Sequence, residues 1–190
     1  MSDLMTLEKL KRSLESSPIV KIGTYDYFVH PVTDGIPRMD PEVLEQAVNG
    51  MLAIGNFDCD LIVTPEAMGI PLAVALSQRT GVPYNIVRKK RYGLDGEVSV
   101  SQVTGYSKSQ LYINGIHEGD KVTVVDDVIS TGGTLRAVVL ALKRMGAEIV
   151  DVIAIIEKTS RKREIEDELG VRIKTLVKVE VRKGKLVVIT

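Results

Sequence analysis

Residues Val122–Thr134 run VTVVDDVISTGGT, and Leu135, Arg136 and Ala137 follow at the head of a helical stretch. Val122, Thr123, Val124 and Val125 predict a buried strand. It delivers Asp126 and Asp127 to its carboxyl end, which is where open α/β sheets hold their ligands. Gly132 and Gly133 let the backbone turn so that several N–H groups converge on one anion. The hydroxyls of Ser130, Thr131 and Thr134 add donors, and the helix N-terminus adds partial positive charge. The string fits neither G-x-G-x-x-G nor G-x-x-x-x-G-K-[ST]. It predicts a phosphate cradle behind an acidic pair.

Outward from this segment, short apolar runs alternate with helical periods. Leu61 to Thr64, Tyr84 to Val87, Lys121 to Val125 and Ile149 to Ile156 have strand character. Ile70 to Thr80, Thr134 to Met145 and the charged stretch Arg161 to Leu169 are helical. Upstream, Leu7, Leu10 and Leu14 recur at helical spacing, Tyr25 to His30 has strand character, and Asp40 followed by Pro41 is an N-cap before a first-turn proline. Apolar strands alternating with helices predict an α/β fold, a doubly wound parallel sheet covered on both faces. The end segment from Val171 alternates apolar and polar residues around Lys183-Gly184-Lys185, as a strand pair does. Between Arg88 and Gly119 lies a polar stretch longer than a simple connection, expected to act as a mobile lid or binding loop. A single domain over residues 1–190 is expected.

Charge is balanced, with 25 basic and 25 acidic side chains, so no overall basic field favours nucleic acid and any anion site is local. Hydrophobic residues make up 44% and charged residues 26%, as in ordinary water-soluble domains. Cys59 is the only cysteine. With no signal-peptide pattern and no long apolar run, the expectation is a cytoplasmic protein without membrane contact. His30 and His117 have no carboxylate or serine at a telling spacing and are expected to be structural.

The signature at Val122–Thr134 resembles that of the type I phosphoribosyltransferases, which bind 5-phosphoribosyl 1-diphosphate. The resemblance extends from about Tyr25 to Lys185. Its overall pattern looks like the archaeal hypoxanthine/guanine branch, and the end portion is also similar to bacterial xanthine enzymes. It implies that Ser130, Thr131, Gly132, Gly133 and Thr134 hold the 5-phosphate, and that Asp126 and Asp127 are catalytic, contacting the ribose hydroxyls and holding Mg2+ through water. Paired carboxylates suit all of this, because they accept from vicinal hydroxyls and stabilise cationic character at the anomeric carbon.

The same resemblance gives Glu66, Ala67, Met68 and Gly69 as a diphosphate loop after a strand, although Met68 stands where the adenine branch commonly has arginine. Arg88, Lys89 and Lys90 would meet the leaving diphosphate. Thr104, Gly105, Tyr106 and Ser107 correspond to the flexible catalytic loop, placed at about 91–110. Segments at about 25–37 and 158–190 would form a hood over the base. Lys158, just past an apolar strand, corresponds to the lysine that donates to O6 of a 6-oxopurine. An ammonium has donors only, which suits a carbonyl oxygen and not the amine of adenine.

One departure matters. Many hypoxanthine/guanine enzymes carry an aspartate where Ser130 stands, and a serine hydroxyl is a poor proton acceptor at neutral pH, so the general base stays unassigned. The resemblance implies purine salvage to IMP or GMP by a homodimer. Adenine or xanthine use stays open, as does a non-catalytic sensor of 5-phosphoribosyl 1-diphosphate. The stretch before Tyr25 is too short for a winged helix, which favours the enzyme.

Overall fold

The computed structural model describes residues 7–23, 25–103 and 108–189. Helix α1 (Glu8–Glu15) precedes strands β1 (Ile19–Ile22) and β2 (Tyr25–Phe28). The short helix α2 (Pro31–Asp34) and the long α3 (Pro41–Ile54) lead to β3 (Leu61–Pro65), α4 (Gly69–Thr80) and β4 (Tyr84–Val87). Strands β5 (Val98–Val103) and β6 (Lys108–Ile113) follow. Then come β7 (Lys121–Ile129), α5 (Gly133–Arg144), β8 (Glu148–Glu157), α6 (Lys162–Leu169), β9 (Lys174–Arg182) and β10 (Lys185–Val188).

Six strands form the main sheet in the order β10-β9-β8-β7-β3-β4. All neighbours are parallel except β10 and β9. From β3 the chain moves outward to β4, then returns to β7 on the other side of β3 and proceeds away from it. Right-handed crossovers with opposite directions of travel put their helices on opposite faces. The packing agrees: α1, α3 and α4 share one core with Ile62, Val125 and Ile153, whereas α5 and α6 share another with Val63, Val124 and Val152. Adjacent residues of one strand thus serve opposite cores, which is why these strands are apolar throughout. The doubly wound class expected from the sequence is the observed one. The chain reverses its direction of travel between β3 and β7, and a crevice opens there at their carboxyl ends.

Local signals explain the helix starts. Asp40 Oδ1 accepts from the Glu42 N–H at 2.9 Å, and Pro41 follows as the first residue of α3. Leu10 and Leu14 of α1 are fully buried, each worth about 1.5–3 kcal/mol of transfer from water.

One expectation is sharpened and another corrected. The stretch at 91–110, expected as a flexible loop, is not without regular structure: β5 and β6 pair antiparallel from Val98↔Ile113 to Val103↔Lys108 and bury Leu111 and Ile113 in the α5 core. Thr104, Gly105, Tyr106 and Ser107 lie outside the described residues. Nor does 158–190 stand apart as a hood: β9 and β10 extend the main sheet, with Val177, Val179 and Leu186 buried in the α1–α3 core. Of the two hood segments, 25–37 is the one that supplies several walls of the crevice.

Candidate active site

A cleft of about 260 Å³ opens at the crevice between β3 and β7. Asp126, Asp127, Ser130, Thr134, Lys158, Glu66, Ala67, Met68 and Lys89 line it, and Tyr25, Tyr27, Phe28, Thr33 and Gln102 complete its walls. The acidic pair lies within β7 and not beyond it, since the β7–β8 ladder continues to Ile129↔Glu157. Asp126 is buried, and its Oδ1 accepts from the Asp127 N–H at 2.9 Å. Burial raises the Asp126 carboxyl above the usual range. Burial raises Asp127 further, and the charge of Asp126 adds to it. Two crowded carboxylates facing a cleft favour whatever brings them positive charge or hydroxyl donors.

The loop after β7 is held from behind. Gly132 has φ 76°, the left-handed region that favours glycine, and a Cβ there would meet Ile165 Cδ1 at 2.6 Å. Arg136 Nη1 donates to the Thr131 carbonyl at 2.7 Å, and Arg136 Nε pairs with Glu168 at 2.6 Å. The turn is thereby tied to α6 before any ligand arrives. Ser130 and Thr134 face the cleft, while Thr131, Gly132 and Gly133 line a small adjoining recess with them. The arrangement puts backbone N–H groups at the N-terminus of α5 beside two hydroxyls, a setting that suits an anion.

On the opposite wall, β3 runs into Glu66, Ala67 and Met68 ahead of α4. Gly69 is outside the cleft and serves packing, because a Cβ there would lie 1.8 Å from Thr64 Oγ1. The basic run after β4 divides three ways. Lys89 lines the cleft; Arg88 Nε approaches Glu66 Oε2 at 2.8 Å as an ion pair off the hydrogen-bonding direction; and Lys90 Nζ lies 5.6 Å from the Tyr92 ring centroid. In this state only one of the three expected cations is presented to the cleft.

Lys158 follows β8, and its N–H donates to the Ile129 carbonyl at 2.8 Å, extending the ladder by one rung. Its ammonium donates to Tyr25 Oη at 3.1 Å and to the Asp26 carbonyl. The same nitrogen lies 4.2 Å from the Tyr25 ring centroid and 5.3 Å from that of Phe28. The roof carrying these rings is braced by Asp34, which accepts from the Tyr27 hydroxyl, from the His30 N–H at 2.9 Å and from Thr33 Oγ1 at 2.6 Å. Next to Lys158, buried Glu157 turns elsewhere, pairing with Lys162 at 2.9 Å and Lys178 at 3.3 Å. Burial opposes its ionisation, but the Lys162 hydrogen bond and charge, with Lys178 and Thr175, outweigh it and hold the carboxyl below its usual range.

The sequence reading missed the aromatic walls, Tyr25, Tyr27 and Phe28, and also Gln102 and Arg136. Three aromatics within four residues were a usable signal for a planar ligand. His30 is structural, as expected. It is buried, accepts from the Val32 N–H through Nδ1 at 3.1 Å, and meets Ser13 Oγ through Nε2 at 2.9 Å. Burial lowers its pKa to about 4. Among the described residues no helix is long and apolar enough to cross a membrane.

Comparison with known proteins gives a consistent result. A family model described as the phosphoribosyl transferase domain matches residues 41–182. The chain is 56% identical over 179 residues to a hypoxanthine/guanine phosphoribosyltransferase of Methanobacterium lacus, covering 94% of each chain. It is 52% identical over 181 residues to the protein so named in Methanocaldococcus jannaschii, covering 95% of this chain and 99% of that one. Among solved structures it is similar to adenine phosphoribosyltransferase from Thermoanaerobacter pseudethanolicus, with a TM-score of 0.74 and 28% identity over 91% of this chain and 99% of the other.

Proposed function

The chain belongs to the phosphoribosyl transferase family, and from that premise we propose that it transfers the 5-phosphoribosyl group of 5-phosphoribosyl 1-diphosphate to hypoxanthine or guanine, giving IMP or GMP and diphosphate. The observation that carries this reading is the shared cleft. One opening joins the loop of Ser130 and Thr134, the acidic pair, and a lysine framed by aromatic rings. Each end of a nucleotide finds its chemical complement there. The strong likeness to proteins named for these two bases points the same way.

In this reading the loop Ser130–Thr134 receives the 5-phosphate, with Thr131, Gly132 and Gly133 contributing backbone donors. Asp126 and Asp127 accept from the ribose hydroxyls and face the cationic character that develops at the anomeric carbon. Glu66, Ala67 and Met68 with Lys89 form the diphosphate end, and Arg88 joins them when it leaves Glu66. The purine lies against Tyr25, Tyr27 and Phe28, and Lys158 donates to O6. The base nitrogen displaces diphosphate, and the rate gain comes mainly from alignment and charge stabilisation. No side chain is assigned as general base.

Mg2+ fits these residues. No group of three or more potential ligands comes together among the described residues, but two carboxylates beside a diphosphate site suit an ion that keeps several waters and takes its remaining ligands from substrate. Bound there, it would supply charge neutralisation for the diphosphate, with Asp126 and Asp127 holding it through water. A homodimer working in the cytoplasm completes the proposal.

The test is direct. Incubate the protein with 5-phosphoribosyl 1-diphosphate, Mg2+ and, separately, hypoxanthine, guanine, xanthine or adenine, and identify nucleotides by chromatography. IMP and GMP are expected. AMP as sole product would overturn the oxopurine assignment. Binding of 5-phosphoribosyl 1-diphosphate with no nucleotide from any base would replace the enzyme with a sensor.

A further inference from the structure

Gln102 is a buried amide on β5 that reaches out of its own hairpin to the loop at the head of α5. Its Nε2 donates to Thr134 Oγ1, and its Oε1 accepts from Ser109 Oγ on β6 at 2.7 Å. A threonine hydroxyl has one proton and two lone-pair directions. With one lone pair occupied by Gln102, the proton of Thr134 is released for another acceptor, and both residues line the cleft with Ser130 and Asp126. Ser109 braces the far end of the amide, its hydroxyl donating to Oε1 while Nε2 faces Thr134. The three groups form a row in which each donates to the next, and such rows strengthen one another in a water-poor setting.

We propose that Gln102 is a positioning residue for the sugar phosphate: the relay Ser109–Gln102–Thr134 aims the Thr134 hydroxyl at the incoming 5-phosphate and couples the β5–β6 hairpin to phosphate binding. This rests on the reading of Ser130–Thr134 as the phosphate loop. Its ligand is the phosphate monoester alone, so ribose 5-phosphate is the probe and inorganic diphosphate the control.

The experiment measures dissociation constants for ribose 5-phosphate by calorimetry on the full chain. It compares the parent with Gln102→Met, Ser109→Ala, Thr134→Ala and the double variant Gln102→Met/Thr134→Ala. Gln102→Met keeps the side-chain length without the amide and raises the constant about tenfold, Ser109→Ala about threefold, each consistent with loss of an aligned hydrogen bond. Gln102→Met adds nothing in the Thr134→Ala background, and diphosphate binding is unchanged. Equal losses in both backgrounds, or equal weakening of diphosphate, overturn the relay. If Thr134→Ala weakens ribose 5-phosphate but Gln102→Met and Ser109→Ala do not, the inference fails and the phosphate loop stands. If Thr134→Ala has no effect, the phosphate-loop reading itself fails. Should Gln102→Met not fold, Ser109→Ala alone decides.

Discussion

Replacing Lys158 with methionine separates base recognition from stability, because the methionine stem keeps most of the packing while the ammonium is lost. The ammonium has three N–H donors, of which two engage Tyr25 Oη and the Asp26 carbonyl, and Lys158 lines the cleft. One donor therefore remains for a carbonyl of the base. A hydrogen bond from a charged donor is worth about 1.5–3 kcal/mol. At about 1.4 kcal/mol per factor of ten, kcat/KM for hypoxanthine and guanine should fall roughly 10- to 150-fold relative to adenine. The variant also loses the cation beside the Tyr25 ring, at about 0.5–2 kcal/mol of stability. That loss lowers the folded fraction for every substrate alike and cancels in the ratio. The assay is initial rate against each base at saturating 5-phosphoribosyl 1-diphosphate and Mg2+. If adenine turnover is too slow to follow, calorimetric binding of IMP against AMP yields the same ratio. An unchanged ratio would refute the placement of Lys158 at O6.

Two further predictions concern pH. Asp127 holds its proton to higher pH in the folded state than in the unfolded chain, so stability falls as pH rises from the ordinary aspartate range through the raised value, by about 1.4 kcal/mol per pH unit of displacement. Asp127→Asn should therefore resist urea better than the parent at pH 7.5, with the gain shrinking toward pH 4.5, while turnover collapses; a less stable variant at pH 7.5 would contradict the burial argument. His30 acts with the opposite sign. Its pKa drops from 6.5 to about 4, so its contribution is complete above about 6.5 and is lost as pH falls toward 4, in total about 3 kcal/mol. His30→Asn retains an acceptor for the Val32 N–H, and the parent-minus-variant difference in unfolding free energy should shrink by that amount between pH 7.5 and pH 4; a flat difference would mean the imidazole is not held neutral.

What could be read from the sequence depended on how local its cause was. Asp40 with Pro41, and the run from Val122 into Gly132-Gly133, carry their structure in adjacent residues; both helices start where expected, and the strand forms but continues past the acidic pair to Ile129. The β5–β6 pair was hidden although Val98 and Val100 alternate with Ser99 and Ser101, because the surrounding glycines, lysines and tyrosines have the composition of a loop. The end strands were recognised as a pair but assigned to the wrong neighbour. Pairing of β9 with β8 is a contact across the α6 crossover, and alternation within β9 says nothing about it. In the site, the loop and acids were legible because they are contiguous. The pairing of Arg88 with Glu66, the brace of Asp34 under the aromatic roof and the reach of Gln102 to Thr134 are tertiary contacts without a spacing rule.

The ladder between β7 and β8 sets a dimension as well as a surface. Ile129 pairs with Glu157, and Lys158 then bonds back to Ile129, so the loop that begins at Ser130 and the lysine leave adjacent strands at the same rung. Their backbones are held about one strand spacing apart, roughly 4.8 Å, and neither can drift without breaking parallel pairing in the middle of the sheet. The sheet is in effect a caliper. One jaw is the loop that begins at Ser130, the other the tip of a side chain, and the gap is set by backbone hydrogen bonds. In the proposed reading, exchanging the side chain at 158 changes which base is gripped while the sugar and its phosphate stay in register.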